Sequence, residues 1–247
     1  MYVYIYDDYL NKSKYTRALN KLEIRLTDLG LSGKIVRLGT IKNVKDLIQN
    51  EIKTGAKTIV AVGNNKTVNK IIGAVVDNSL YDFFQKNILL FIIPIGDNNS
   101  IAESLGIKKD EACETLLARR IKKIDLGTVA NKYFLNKVSL DSQGSEIEIE
   151  KKYSIEPETQ GQIHIVNLAN QQDLNNEIKS DPQDGFLDFY YKHKNKDYTY
   201  LKLKNLKITN KNKVLLLDDS EEVSSPAEVG ILKERLNFIV GKDRKFD

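Results

Sequence analysis

Between Ile59 and Val76 the chain reads IVAVGNNKTVNKIIGAVV. An apolar run ends at Gly63, helix-like spacing begins near Thr67, and Asn64-Asn65-Lys66 lies between. Strand, tight turn and helix in that order form a phosphate cradle, because backbone N–H groups and the positive helix end face one point. Gly63 and Thr67 suit the strand exit and the helix start. Asn64 and Asn65 tolerate a left-handed backbone, but their side chains are expected to project into the space a phosphate needs. Lys66 would meet a penalty of roughly 1–2 kcal/mol if its φ had to be positive. Two roles stay open for it. It is either a substitute phosphate ligand, with Thr67 as a hydroxyl on the Mg²⁺ side, or a surface lysine on a turn without a ligand. The G-x-x-x-x-G-K-T loop is absent.

A second acid-bearing stretch, LLLDDSEEV (Leu215–Val223), supplies Asp219 and Glu221. A carboxylate there suits a general base that takes a hydroxyl proton. The alternative is a solvated acidic turn, since Asp218 and Glu222 permit other registers. His164 and His193 have no ligand-spaced neighbours, so no metal site is expected. His164 alternates within QIHIV as a strand residue. Cys113, in KDEACETLLARR, reads as a packing thiol, and no acyl-transfer triad is discernible.

These residues need elements to hold them. Tyr2–Tyr6 (YVYIY), Lys34–Leu38 (KIVRL), Thr58–Val62 (TIVAV) and Ile88–Ile93 (ILLFII) are strand candidates. Between them, Leu19, Leu22, Leu26 and Leu29 share one helix face closed by Gly30, and Val44, Leu47, Ile48 and Ile52 share another closed by Gly55. This β-α rhythm predicts a parallel sheet with helices on both sides. After Arg120, alternation replaces helical spacing and Gly144, Gly161, Asp184-Gly185 and Asn210 punctuate it as turn residues, which predicts antiparallel strands. The domains expected are 1–124, α/β, and 125–247, an antiparallel β-sandwich whose last segment could return to the first domain.

The chain has 247 residues, 38 basic against 34 acidic, for a formal charge of +4. That excess is too small for a dedicated nucleic-acid binder. The longest apolar run is too short to cross a bilayer, and MYVYIYDD does not read as a signal peptide. A single cysteine excludes an intramolecular disulfide framework, so the expectation is a cytoplasmic protein. Within the lysine-rich stretch Lys192–Lys213, Leu201 and Leu203 alternate with Lys202 and Lys204, as on a strand with one wet face. The same lysines could meet an anionic surface.

Taken in order, these landmarks resemble the diacylglycerol kinase catalytic-domain family of lipid kinases, relatives of sphingosine kinases and bacterial lipid kinases. The family's G-G-D-G-T turn lies over Gly63–Thr67, followed by Val68-Asn69-Lys70-Ile71. Its P-L-G-T-G-N-D-F-A lies over Pro94–Ala102, with Gly96 and Asn99 matching. Ile124–Gly127, Asp181–Phe189 and Asp219-Ser220-Glu221 resemble its I-D-L-G, D-D-G-x-L-D and D-G-E elements. The resemblance implies an N-terminal α/β nucleotide domain of the kind NAD kinase shares, and a C-terminal β-sandwich. It also implies ATP and Mg²⁺ as cofactors if the chain is active, or none. Gly63, Asn64, Asn65, Lys66, Thr67, Gly96 and Asn99 would contact the nucleotide, with Asp219 and Glu221 as base and helper.

The departures all point one way. The turn aspartate is Asn65, the acid of the second signature is Ser100, and YDDYLNKSK stands where relatives carry N-P-x-S-G. The expected function is therefore a diacylglycerol-kinase-like protein with weakened or lost phosphoryl transfer, a non-catalytic homologue. Two alternatives remain: an active lipid kinase with an atypical phosphate loop, and a module binding proteins or anionic surfaces. The partners expected are a nucleotide and a lipid or anionic membrane surface, with no nucleic acid; a homodimer is a further arrangement left open.

Overall fold

The computed structural model describes all residues except 40–42, 78–87, 169–179, 195–197, 211–213 and 247. The chain divides into two compact units, Met1–Lys123 with Leu236–Arg244, and Ile124–Arg235 with the last residues from Lys245.

The first unit runs β1 (Tyr2–Tyr6), α1 (Ser13–Asp28), β2 (Lys34–Arg37), α2 (Val44–Lys53), β3 (Thr58–Gly63), α3 (Asn65–Val76), β4 (Leu89–Pro94), α4 (Ser100–Ser104) and α5 (Ala112–Ala118). Its strands are parallel in the order β2-β1-β3-β4. Every residue of β3 and β4 is buried, as a strand covered on both faces requires. Burying each large aliphatic side chain contributes about 1.5–3 kcal/mol. Leu19, Leu22 and Leu26 bury one face of α1, and Ile48 and Ile52 one face of α2. The Asn43 side chain caps α2 by accepting from Lys45 N at 3.0 Å, which satisfies a donor the helix cannot.

The second unit contains β5 (Ile121–Val129, from Ile124 onward), β6 (Lys132–Phe134), β7 (Lys137–Asp141), β8 (Ser145–Ile149), β9 (Tyr153–Ile155), β10 (Gly161–Val166), β11 (Leu187–His193), β12 (Tyr198–Leu203), β13 (Asn205–Asn210), β14 (Val214–Leu217), β15 (Glu221–Ser224) and the first part of β16 (Ala227–Ile239). One antiparallel layer has the order β12-β11-β10-β7-β14-β15; in the other, β16 pairs β13, β13 pairs β8 and β8 pairs β9. Ile147, Ile149 and Ile208 from one layer share a core with Ile163, Phe189 and Leu215 from the other, which makes the unit a β-sandwich. The end of β16 lies in the first unit, where Phe238 pairs in parallel with Leu90 of β4.

Two readings of the sequence need correction. Leu203 is buried, but Leu201 is 39% exposed, because β12 lies at a sheet edge where the core thins. Neither Gly161 nor Asn210 is a turn residue. Gly161 opens β10, paired with His193. Asn210 ends β13, buried, and its amide donates to Gln143 O and Ser145 Oγ at 3.0 and 2.8 Å.

Candidate functional site

In the first unit, the buried β3 must turn onto α3 within one residue. Gly63 permits this. A Cβ there would stand 2.3 Å from Thr67 Oγ1, closer than any packed contact. Asn64 is then the N-cap of α3, with φ −112°. Its Oδ1 accepts from Thr67 N at 3.3 Å, and its own N–H donates to Thr67 Oγ1 at 3.3 Å. This reciprocal capping box satisfies two helix-start donors. The Thr67 hydroxyl donates to Asp7 Oδ2 at 2.8 Å, and Lys70 Nζ lies 3.9 Å from the same oxygen.

Asn65 starts the helix proper. Its N–H donates to Asn98 O at 2.9 Å. Its side chain, 1% exposed, donates from Nδ2 to Ser100 Oγ at 2.8 Å and accepts from Ile101 N at 3.2 Å. This corrects the expectation that Asn65 crowds a phosphate. The amide turns away from the cradle and pins α4, because the first helical residue points toward the neighbouring loop. Lys66 also has a helical backbone and is not among the residues with positive φ, so the left-handed penalty does not arise. Its side chain is exposed and forms no ion pair among the described residues.

The loop after β1 completes the corner. The Tyr9 hydroxyl donates to Ile95 O at 2.5 Å, and a Cβ on Gly96 would lie 3.0 Å from that hydroxyl. Burial, followed by the nearby Asp7 charge, pushes the Tyr9 phenol up, so it stays neutral. Asn99 Nδ2 closes the second turn onto Gly96 O at 2.7 Å, while Asn99 Oδ1 is buried without a partner among the described residues. Gly63, Asn64, Asn65, Lys66, Thr67, Gly96 and Asn99 are thus brought together, along with Asp7 and Tyr9, which the sequence reading did not single out.

The arrangement keeps the shape of an anion cradle with part of its donor set already engaged. Three backbone N–H groups, those of Asn64, Asn65 and Thr67, have acceptors within the protein. A divalent cation needs several oxygen ligands, carboxylates foremost. Here Asp7 is committed to Thr67 and Lys70, and Asn65 spends both amide atoms on α4. Among the described residues no group of three or more His, Cys, Asp or Glu side chains could hold a metal ion. With Asn65 in place of the turn acid and Asp7 held by Thr67 and Lys70, the corner presents a weakened carboxylate set for Mg²⁺.

In the second unit the acid that is structurally committed is Asp218. It is fully buried and accepts from Leu135 N, Asn136 N and Lys137 N at 2.9, 2.8 and 2.9 Å. Asp218 and Asp219 both have left-handed φ, 45° and 55°, and Ser220 N donates to Leu217 O at 2.9 Å, so the β14–β15 turn is the mirror-image type that favours glycine. Asp219 lies 3.5 Å from Lys137 Nζ and Glu221 2.6 Å from Lys132 Nζ. The left-handed pair falls on Asp218-Asp219 and not on Ser220.

The remaining matched motifs serve the second unit's framework. Asp125 is fully buried and accepts from Gly185 N at 2.7 Å and Glu234 N at 2.6 Å, tying the I-D-L-G strand to the D-G-F-L-D turn. Asp188 is buried and accepts from the Tyr200 hydroxyl at 2.6 Å. Burial pushes both carboxyls up, the dominant cause in each case.

The diacylglycerol kinase catalytic domain matches residues 2–129. A probable lipid kinase YegS-like protein of Chromohalobacter salexigens is 28% identical over 95 residues, which cover 38% of this chain and 29% of that protein. Two diacylglycerol kinase crystal structures from Bacillus anthracis, one of them described as putative, superpose with TM-scores of 0.77 and 0.79 at 15% and 14% identity, each covering 98% of this chain and 97% of the other. An NAD kinase of Archaeoglobus fulgidus in complex with ATP gives 0.59 at 10% identity, over 99% of this chain and 96% of its own. At these identities the structures speak for the fold, and the match over residues 2–129, more than half of the sequence, decides the lineage: the chain belongs to the diacylglycerol kinase catalytic-domain family.

Proposed function

We propose that this chain is a non-catalytic homologue within its family, retaining the two-unit scaffold with phosphoryl transfer weakened or lost. Kinases of the family use ATP and Mg²⁺. The observation that carries the proposal is the engagement of the backbone donors at the start of α3 by Asn64, Thr67 and Asn98. Phosphoryl transfer rests almost wholly on positioning and charge neutralisation. Removing a single preorganised donor from a reacting site costs ~10²–10³ in rate, and here three are spent inside the protein. The paired change of Asn65 and Ser100 supports the same reading. Where the family resemblance implies two acids, the chain has a neutral hydrogen-bonded pair at 2.8 Å, which lacks the charge that holds a metal against phosphates. The test is transfer of labelled phosphate from Mg·ATP to diacylglycerol in mixed micelles. Turnover at about 1 s⁻¹ or faster, an ordinary enzymatic rate, refutes the proposal.

A second reading has one observation in its favour: Lys66 is exposed and without an ion pair among the described residues, on the first turn of a twelve-residue helix. In that reading the ammonium replaces the missing glycine donors, and the chain is an active lipid kinase with Glu221 or Asp219 as base. It requires that Mg·ATP raise the melting temperature and that Lys66→Ala abolish the rise. Absence of any rise in the unaltered protein removes it.

A further inference from the structure

The second unit holds a cavity of ≈ 520 Å³ between the β16 strand and the loop before β11. That is a size ordinary for small-molecule sites. Its floor is Gly230, opposite Asn205 of β13. A Cβ at position 230 would lie 3.1 Å from Thr128 Oγ1, and Gly230 has no positive φ. What the glycine provides here is therefore room beside a hydroxyl, not an unusual backbone. One wall is Phe186, a 37% exposed aromatic, with the Lys204 ammonium 5.1 Å from its ring centre. Lys233 also lines the cavity, its stem lying against Gly185.

Charge decides which ligand suits the cavity. Lys204 and Lys233 form no ion pair among the described residues. The one acid lining the cavity, Asp184, is paired with the Lys202 ammonium. Lys204 and Lys233 therefore face a space that also offers a hydroxyl and an amide, Lys233 also acting on the buried Asp125 carboxyl behind it. Lys204 and Lys233 are exposed; a pair of ammonium groups suits a multiply charged oxygen acceptor, and a phosphate monoester supplies three oxygens and up to two charges. A carboxylate would leave one cation unmatched.

We propose that this cavity is an anion site for a phosphate monoester, held by Lys204 and Lys233, hydrogen-bonded by Thr128 and Asn205, and flanked by Phe186 on the side of the ester's organic group. The site lies wholly in the second unit and does not rest on the state of the α3 corner. Its headgroup chemistry could come from a soluble phosphate ester or from a lipid, and the experiment separates the two.

The full chain is titrated with glycerol 3-phosphate by calorimetry and, in parallel, sedimented with phosphatidylcholine vesicles containing or lacking phosphatidic acid. Variants are Lys204→Gln, Lys233→Gln, Gly230→Val, and Lys152→Gln as a surface-charge control in the same unit. Valine suits a strand, and circular dichroism confirms that each variant is folded. The expectation is binding in at least one arm, weakened on the order of tenfold by each cavity variant and unchanged by Lys152→Gln. Binding of the soluble ester identifies a soluble ligand class; binding confined to phosphatidic acid vesicles identifies a lipid. The proposal is overturned if neither probe binds, if Gly230→Val binds as the unaltered protein does, or if Lys152→Gln weakens binding as much as the cavity lysines do.

Discussion

Replacing Asn64 with glycine separates a cradle that is closed by its own cap from one that is empty for other reasons. Asn64 contributes one half of the capping box, Oδ1 to Thr67 N at 3.3 Å. An N-cap asparagine replaced by alanine costs about 1 kcal/mol, and by glycine a few tenths. For a chain of this length 1 kcal/mol corresponds to about 2–4 °C in melting temperature. Asn64→Ala should therefore melt about 2–4 °C lower and Asn64→Gly about 1 °C lower. Binding should move the other way. Glycine returns the Thr67 donor and clears side-chain volume from the turn. A hydrogen bond to a charged group contributes about 1.5–3 kcal/mol, which converts to a gain of about 10–150-fold in affinity for a phosphate. ADP without added metal is the appropriate probe, since it isolates the phosphate contacts from any metal contribution, and calorimetry at low salt is the assay. Asn64→Gly that loses the expected stability yet binds ADP no better than the unaltered protein would refute the reasoning. Such a result would mean that the cap is not what closes the site.

Three other perturbations follow from particular contacts. Asp218→Ala leaves three buried backbone donors, those of Leu135, Asn136 and Lys137, without their acceptor; at about 1–3 kcal/mol for each unsatisfied group, urea denaturation should show a loss of at least 3 kcal/mol, and a loss under 1 kcal/mol would contradict the role assigned to it. Asp188 has its carboxyl pushed up by burial. Its contribution to stability is fully present below the unfolded carboxylate range and is lost as pH rises through the folded value, so Asp188→Asn should gain stability relative to the parent more at pH 7 than at pH 4; the reverse order in urea melts at the two pH values would reject the sign. Burial pushes the Cys113 thiol up to about 11, so iodoacetamide should label the native chain at pH 8 far more slowly than the urea-unfolded chain, and equal rates would show the thiol to be open.

Much of the scaffold was legible because it is written in local periodicity. The spacing of Leu19, Leu22 and Leu26 and the apolar runs of β3 and β4 depend only on neighbouring residues, and each became a buried helix face or a buried strand. The candidate site was legible in outline, with Gly63 and Thr67 marking the strand exit and helix start. What it could not disclose depends on contacts across the chain. The direction of the Asn65 side chain is set by Ser100, thirty-five positions away, and the placement of Tyr9 by Ile95, eighty-six positions away. The commitment of Asp218 to donors 81–83 positions earlier likewise distinguishes it from Asp219, although the two are adjacent and identical in type. A signal for Asp218 did exist in the doubled acid before Ser220, where aspartate tolerates the left-handed turn that glycine would otherwise fill.

The central claim is that the corner formed by Gly63, Asn64 and Thr67 no longer grips a nucleotide. Calorimetric titration of the unaltered protein with Mg·ATP tests it most directly. The account predicts no saturable heat up to about 1 mM, the upper end of ordinary enzyme substrate affinities. A dissociation constant of about 10 μM or tighter, about 7 kcal/mol of binding free energy, lost on Lys66→Ala or Thr67→Ala, would contradict it.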